Sequence, residues 1–190
     1  PPTQLRHGIS PQQLRKGMDI VFPPGPSAEN ANIRAMLATM MQGLMRGREA
    51  GCEHTFDQSI DIARADIATA EKDRFAFFMR PAKNMRHRRG KTVPIVIGGG
   101  GSKIDACFEV RRMLELDPTP LGQAASTPMF RKPDGSAFTT DDIRNLVRQI
   151  VAAIGLDPEM FGAHSLRIGG ATALFAAGAD PIHIRTMGRW

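Results

Sequence analysis

The stretch from Ala163 to Thr172 reads Ala-His-Ser-Leu-Arg-Ile-Gly-Gly-Ala-Thr, and it says more about the fold than any other part of the chain. His164 and Arg167 are three residues apart, so on a helix they lie on one face. Gly169 and Gly170 lack side chains and would let this helix pack closely against a neighbouring backbone. The segment predicts a closely packed helix that presents a histidine and an arginine together.

Two other short segments carry candidate functional residues. Downstream, Asp180-Pro181 predicts the start of a short helix, because proline is preformed for the first helical turn. That helix leads into Ile184–Trp190, which reads Ile-Arg-Thr-Met-Gly-Arg-Trp. Upstream, the segment Gly43–Glu49 reads Gly-Leu-Met-Arg-Gly-Arg-Glu and follows a predicted helix, so it places an arginine and an acid three residues apart.

The pattern of apolar residues predicts a mainly helical α+β domain with a small antiparallel sheet. Two predicted strands, Phe75–Arg80 and Thr92–Ile97, flank a basic hairpin loop, and Pro94 marks the second as an edge strand. We expect residues 1–26 to be an irregular linker or entry arm and residues 27–190 to form one domain. Helices are predicted over Ala28–Met45, Ile104–Leu116, Thr139–Ile154 and the segment from His164 to Gly178.

Composition points to an intracellular protein, and the basic stretch Arg80–Lys91, which has no acidic residue, indicates either a polyanionic partner or full exposure to water. The formal net charge is +6, and 19 of the 25 cationic residues are arginines, whose planar fork suits phosphate oxygens. No apolar run is long enough for a membrane span, and two cysteines make no disulfide framework. We expect the cytoplasm or the nucleus, depending on the host. Neither Cys52-Glu53-His54 nor the acids Asp57, Asp61 and Asp66 have convincing metal-ligand spacing.

We call the three short segments Gly43–Glu49, Ala163–Thr172 and Ile184–Trp190 boxes. Their residues and their order along the chain resemble the tyrosine recombinase (phage integrase) family of DNA breaking-and-rejoining enzymes. The resemblance covers roughly residues 28–190 and is most specific from His164 to Trp190. It implies site-specific recombination or integration of a mobile element through a 3′-phosphotyrosyl intermediate, without metal or cofactor. It also implies double-stranded DNA as partner and a homo-tetramer on paired sites. The implied catalytic residues are Arg46, Lys83, His164, Arg167 and Trp190, with Glu49 as a supporting acid.

Each residue also has a plainer interpretation. Arg46 could interact with helix-end carbonyls, His164 could have no task, and Trp190 could be a hydrophobic plug. Lys83 is the implied general acid on the hairpin, with Lys91 as the alternative. The remaining cations are better interpreted as DNA-backbone contacts than as catalytic groups, and they are Arg48, Arg80, Arg86, Arg88, Arg89 and Lys91.

The resemblance breaks at the nucleophile. The chain contains no tyrosine and ends on Trp190, inside the last box. We therefore expect a fragment that cannot by itself form the covalent DNA intermediate. The alternatives are a catalytically inactive DNA-binding domain of recombinase type and, less favoured, a relative of type IB topoisomerases.

Overall fold

The computed structural model describes residues 7–80, 92–99 and 103–190. Within them the chain forms a mainly helical domain with one small sheet. The helices are α1 (Pro11–Val21), α2 (Ala28–Gln42), α3 (Gly47–Ala50), α4 (Ala106–Leu116), α5 (Thr140–Ala153), α6 (Ala163–Ala176) and α7 (Pro181–Gly188). The strands are β1 (Ile67–Ala70), β2 (Arg74–Met79) and β3 (Val93–Gly98). The predicted α+β class is confirmed.

Helix boundaries follow from local capping. Thr139 accepts a hydrogen bond from the backbone of Asp142 at the start of α5, and Asp180 caps α7 in the same way. The start of α4 is two residues later than predicted, because the Asp105 side chain caps it. The end of α2 is earlier than predicted: Gly43 is the C-cap, and Leu44 follows with φ of 47°.

The sheet is antiparallel with the order β1-β2-β3. Phe75 and Phe77 of the central strand are buried and their rings stack with centroids 5.1 Å apart. Pro94 lies on β3, an edge strand, as predicted. Strand β1 was not predicted, since Ile-Ala-Thr-Ala is short, contains two alanines and has no aromatic residue.

Helix α2 forms the centre of the core, with eleven buried residues, and packs against α4 and α6. The predicted close packing of α6 is confirmed. A Cβ atom on Gly170 would lie 2.2 Å from the carbonyl oxygen of Met41, and one on Gly169 would lie 1.8 Å from that of Ile9. The two glycines therefore bring α6 against backbone on both sides, which fixes where His164 and Arg167 emerge.

The expectation that residues 1–26 are irregular is wrong for residues 11–21. Ser10 and Gln13 form a capping box, and Pro11 occupies the first turn of α1. Leu14 and Met18 are fully buried, and α1 packs against α5. The prediction failed because the prolines on both sides of α1 suggested irregular chain, although proline in the first turn favours a helix.

No helix among the described residues has the length and apolar character needed to cross a membrane.

Candidate phosphate-binding site

Arg46 and Glu49 are joined by the short helix α3. Arg46 is the N-cap residue, and its backbone N–H donates to Glu49 Oε2 at 2.7 Å. Its Nη1 donates to Glu49 Oε1 at 2.8 Å, while 44% of the Arg46 side chain stays exposed. The carboxylate therefore holds Arg46 at both its backbone N–H and its Nη1, while part of the side chain still faces solvent.

Arg167 lies behind this pair and is almost completely buried, with 1% exposure. Its Nη1 donates to the Leu44 carbonyl at 2.5 Å, and its Nη2 donates to the Gly188 carbonyl. Its Nε has no hydrogen-bond partner among the described residues. Burial, followed by the nearby positive charge of Arg46, lowers the pKa of Arg167 to about 10.

Trp190 covers Arg167 as an exposed aromatic ring. The Arg167 Cζ lies 4.1 Å from the centroid of the indole ring, a cation–π distance. The ring also lies over Gly188, where a Cβ atom would be 2.0 Å from it. Trp190 therefore contacts Arg167, and its predicted role at a phosphate stays a prediction.

His164 stands at the first turn of α6, exposed, on the same face as Arg167. Partial burial lowers its pKa, and the positive charges of Arg167 and Arg46 lower it further. His164 therefore lies near the positive charges of both arginines. A histidine there gains a proton readily once a negative charge enters the site.

The structure adds Arg189, a residue that the sequence analysis passed over. Its side chain is only 6% exposed and its Nη2 donates to Glu49 Oε2 at 2.7 Å. The same Nη2 lies 3.2 Å from the Leu44 carbonyl, and Nη1 donates to the Met187 carbonyl at 2.6 Å. Its position between Gly188 and Trp190 was the available signal. A buried arginine cannot be told from an exposed one by sequence alone.

The cluster has an excess of positive charge. Two guanidiniums, those of Arg46 and Arg189, donate to the carboxylate of Glu49, and the guanidinium of Arg167 lies near enough for the Glu49 charge to act on it. Burial of Glu49 raises its pKa, but the hydrogen bonds and charges of Arg189 and Arg46 outweigh this, so its pKa lies below the ordinary value and it stays ionised. A cluster with more guanidinium than carboxylate charge, open on the side of Arg46 and His164, suits a phosphate oxygen.

The other proposed DNA contacts are held differently. Arg80 pairs with Asp66 at 3.0 Å, and Arg48 pairs with Asp61 at 2.5 Å, so both enter intramolecular ion pairs. The predicted catalytic Lys83, its alternative Lys91, and the predicted phosphate contacts Arg86, Arg88 and Arg89 lie outside the described residues.

No group of three potential metal ligands occurs among the described residues. Asp61 accepts from Arg48 and from the backbone N–H of Asp57, while Asp66 accepts from Arg80 and from the backbone of Ala63. These acids therefore have structural partners inside the chain.

Comparison with solved structures places this arrangement in a known fold. The XerH site-specific recombinase bound to difH substrate superposes with a TM-score of 0.66 at 18% identity, over 97% of this chain and 47% of that one. XerA recombinase gives 0.64 at 13% identity, over 98% and 55%. The Tn1549 transposon integrase in complex with transposon right end DNA gives 0.60 at 14% identity, over 98% and 59%.

The fold is that of a tyrosine recombinase catalytic core. The chain spans about half the length of the recombinases it superposes on. No protein-family model and no curated protein matches the sequence. In this recombinase fold, α3, α6 and the end of α7 meet at one place, and the arginines of the predicted boxes meet there with them.

Proposed function

We propose that the chain is a catalytic core for site-specific DNA recombination, which binds a backbone phosphate and promotes strand cleavage and rejoining at it. The observation that carries the proposal is a cluster of three guanidiniums, two of them bonded to the Glu49 carboxylate and the third buried beside them, next to an exposed histidine. The fold supports it, since the superposed recombinases XerH and Tn1549 integrase are bound to DNA.

The chemistry proposed for this site is transfer of a DNA phosphoryl group to a tyrosine hydroxyl. Negative charge must be stabilised on the non-bridging oxygens as the transition state forms, and preorganised donors do this best. Arg46 would donate from its exposed guanidinium, and His164 would donate to a phosphate oxygen or move a proton. Arg167 would contribute its charge from beneath. Its direct contact with phosphate requires the Gly188 carbonyl to be exchanged for a phosphate oxygen.

Two roles in this proposal depend on residues beyond the described site. The general acid that protonates the departing 5′ oxygen is assigned to Lys83, with Lys91 as the alternative. The 190 residues contain no tyrosine, so the proposed cleavage requires one supplied from outside them.

A second candidate function is DNA binding without cleavage. The observation that favours it is the burial of Arg167, whose two Nη groups already donate to the carbonyls of Leu44 and Gly188. A domain in which Arg167 only stabilises the fold would still bind the phosphate backbone through Arg46 and through the basic hairpin loop between the predicted strands.

Binding is tested by fluorescence anisotropy of a labelled duplex over a series of salt concentrations. We expect affinity to fall steeply between about 50 and 200 mM salt, because cations that contact phosphates release counterions. Arg46→Gln should weaken binding and reduce the salt slope by about one. Arg144→Gln is the control, since its side chain is 42% exposed, close to the 44% of Arg46, and it lies on α5. Equal effects of the two variants would count against the site.

Cleavage chemistry is tested without a tyrosine, on a duplex that ends in a 3′-(4-nitrophenyl) phosphate. Water can attack this activated diester, so arginines that stabilise the transition state should accelerate release of nitrophenol. We expect acceleration by the unmodified chain and its loss in Arg167→Gln. Tight binding of this duplex with no acceleration would favour the binding-only function.

A further inference from the structure

Glu49 is the shared partner of two arginines, Arg46 and Arg189, that lie far apart in the sequence. Its Oε2 accepts from the backbone N–H of Arg46 and from Nη2 of Arg189, both at 2.7 Å. Its Oε1 accepts from Nη1 of Arg46 at 2.8 Å. The carboxylate is 8% exposed, so these contacts are made in a site with little water, where they are strong.

Arg189 also contacts Arg46 directly. Nη2 of Arg46 lies 3.3 Å from the main-chain carbonyl of Arg189. Arg46 is therefore held at Nη1 by the carboxylate that Arg189 orients and at Nη2 by the backbone of Arg189 itself. If the end of α7 leaves the loop between α2 and α3, Arg46 loses the contact at Nη2, and the carboxylate that holds Nη1 loses its second arginine.

We propose that Arg189 is a positioning residue of the phosphate site, acting on Arg46 through Glu49. Without Arg189, Glu49 would pair with Arg46 alone and offset most of its charge. With Arg189, the carboxylate is shared, so the Arg46 guanidinium keeps a fixed direction and a net positive charge for an incoming phosphate. This inference rests on the proposed function, because it concerns the same site.

The burial of Arg189 separates its role from that of a phosphate ligand. Its side chain is 6% exposed, against 44% for Arg46, and its Nη groups donate to Glu49 and to the carbonyls of Leu44 and Met187. Its backbone has φ of 58°, in the left-handed region that side chains disfavour. A local cost of this kind persists where the surrounding contacts hold it, and it is common at functional sites.

The first experiment is a double-mutant cycle in duplex affinity. Arg189→Gln should weaken binding about tenfold more than Arg185→Gln, since a charge-assisted pair is worth about one decade. Arg185 is exposed on the same helix, so its variant removes the same charge from the same region. In a Glu49→Gln background the excess effect of Arg189→Gln should vanish, because the group through which it acts is gone. Arg189→Lys should recover part of the affinity.

Equal losses of duplex affinity in Arg189→Gln and Arg185→Gln would mean that Arg189 contributes only its positive charge. That result would overturn the proposal. An excess that survives unchanged in the Glu49→Gln background would also overturn it. Thermal unfolding of each variant confirms that folded proteins are compared. If Arg189→Gln does not fold, Arg189→Lys replaces it in the double-mutant cycle.

A second measurement needs no DNA. Arg46 is one of the charges that lower the pKa of His164, so an Arg46 whose charge is offset by Glu49 alone in Arg189→Gln should let that pKa rise, as followed by NMR of the His164 ring. An unchanged His164 pKa would mean that Arg46 stays in place without Arg189, and the inference would be wrong. If the unmodified chain binds no duplex, the proposed function fails, while this titration still decides the role of Arg189.

Discussion

The Arg189 side chain donates to the carbonyl oxygen of Leu44 at 3.2 Å, and among the described residues these are the two non-glycine positions with positive φ. Leu44 has φ of 47° and Arg189 has φ of 58°. The turn at Leu44 aims its carbonyl at Arg167, which donates to it at 2.5 Å. The turn at Arg189 folds Trp190 back over the same guanidinium. Two strained turns thus enclose one buried arginine.

Trp190 should report on this enclosure directly, because it is the one tryptophan of the chain. Its ring lies 4.1 Å from the Arg167 guanidinium carbon, so Arg167→Met should change both the intensity and the wavelength of tryptophan emission. The measurement is steady-state fluorescence on folded protein. Arg148→Met on α5 is the control and should leave the emission unchanged, since its side chain pairs with Glu159. Identical spectra for the Arg167 variant and the unmodified chain would show that the two groups are not stacked in solution.

Gly170→Ala should destabilise the fold even though alanine favours a helix by about 1 kcal/mol over glycine. The new methyl group would lie 2.2 Å from the Met41 carbonyl oxygen and 2.8 Å from Leu44 Cδ2. Overpacking of this kind typically costs about 1–3 kcal/mol, and backbone cannot rotate out of the way as a side chain can. Urea denaturation measures the change. A variant as stable as the unmodified chain would mean that α2 and α6 are farther apart than described.

The buried pair of Arg34 and Glu109 should show strong coupling. Both side chains are nearly inaccessible, and their closest nitrogen–oxygen distance is 2.7 Å. Glu109→Leu leaves Arg34 with only the partly exposed Asp19 as a charge partner, so we expect a loss of about 3 kcal/mol in unfolding free energy.

Replacing both members tests the same pair from the other side. Arg34→Met combined with Glu109→Leu removes both charges, and it should cost less than Glu109→Leu alone. Chemical denaturation of both variants decides this. A double variant that is less stable than the single one would show that Arg34 contributes mainly through its bond to the Phe22 carbonyl.

The sequence predicted the parts of this fold that depend on periodicity and local capping. Helix α5 begins after Thr139 as expected, because the cap and the apolar stripe are both local signals. Helix α1 was missed, since flanking prolines suggested irregular chain and its buried face is only Leu14, Gly17 and Met18. Strand β1 lacks a strong pattern and exists because β2 pairs with it.

The proximity of the candidate residues was predicted better than their geometry, and their catalytic roles stay predictions. Arg46, Glu49 and Arg167 are brought together as the order of the boxes suggested. The depth of Arg167 and the inward direction of Arg189 were not predictable, because both depend on turns at Leu44 and Gly188 that place carbonyls beneath the guanidiniums. Whether an arginine side chain in a loop is buried depends on tertiary contacts, so the sequence alone does not show it.

His164 gives the site a pH dependence whose sign differs between folding and binding. In the free protein the pKa of His164 is lowered from 6.5 by burial and by Arg167 and Arg46. The unfolded chain therefore binds this proton more readily, and His164 reduces stability as pH falls from about 6.5 through the lowered folded pKa. Duplex binding should do the opposite. A phosphate beside Arg46 favours the protonated ring, so the pKa of His164 should rise on binding and affinity should increase as pH falls through this window.

The test follows the His164 ring by NMR with and without duplex, assigning its signal through His164→Gln. We expect an upward displacement of the His164 titration on binding. In His164→Gln the duplex affinity should lose the part of its pH dependence that belongs to this window. A His164 titration unmoved by duplex, alongside measurable binding, would place the bound phosphate away from Arg46 and Arg167 and would remove His164 from the proposed chemistry.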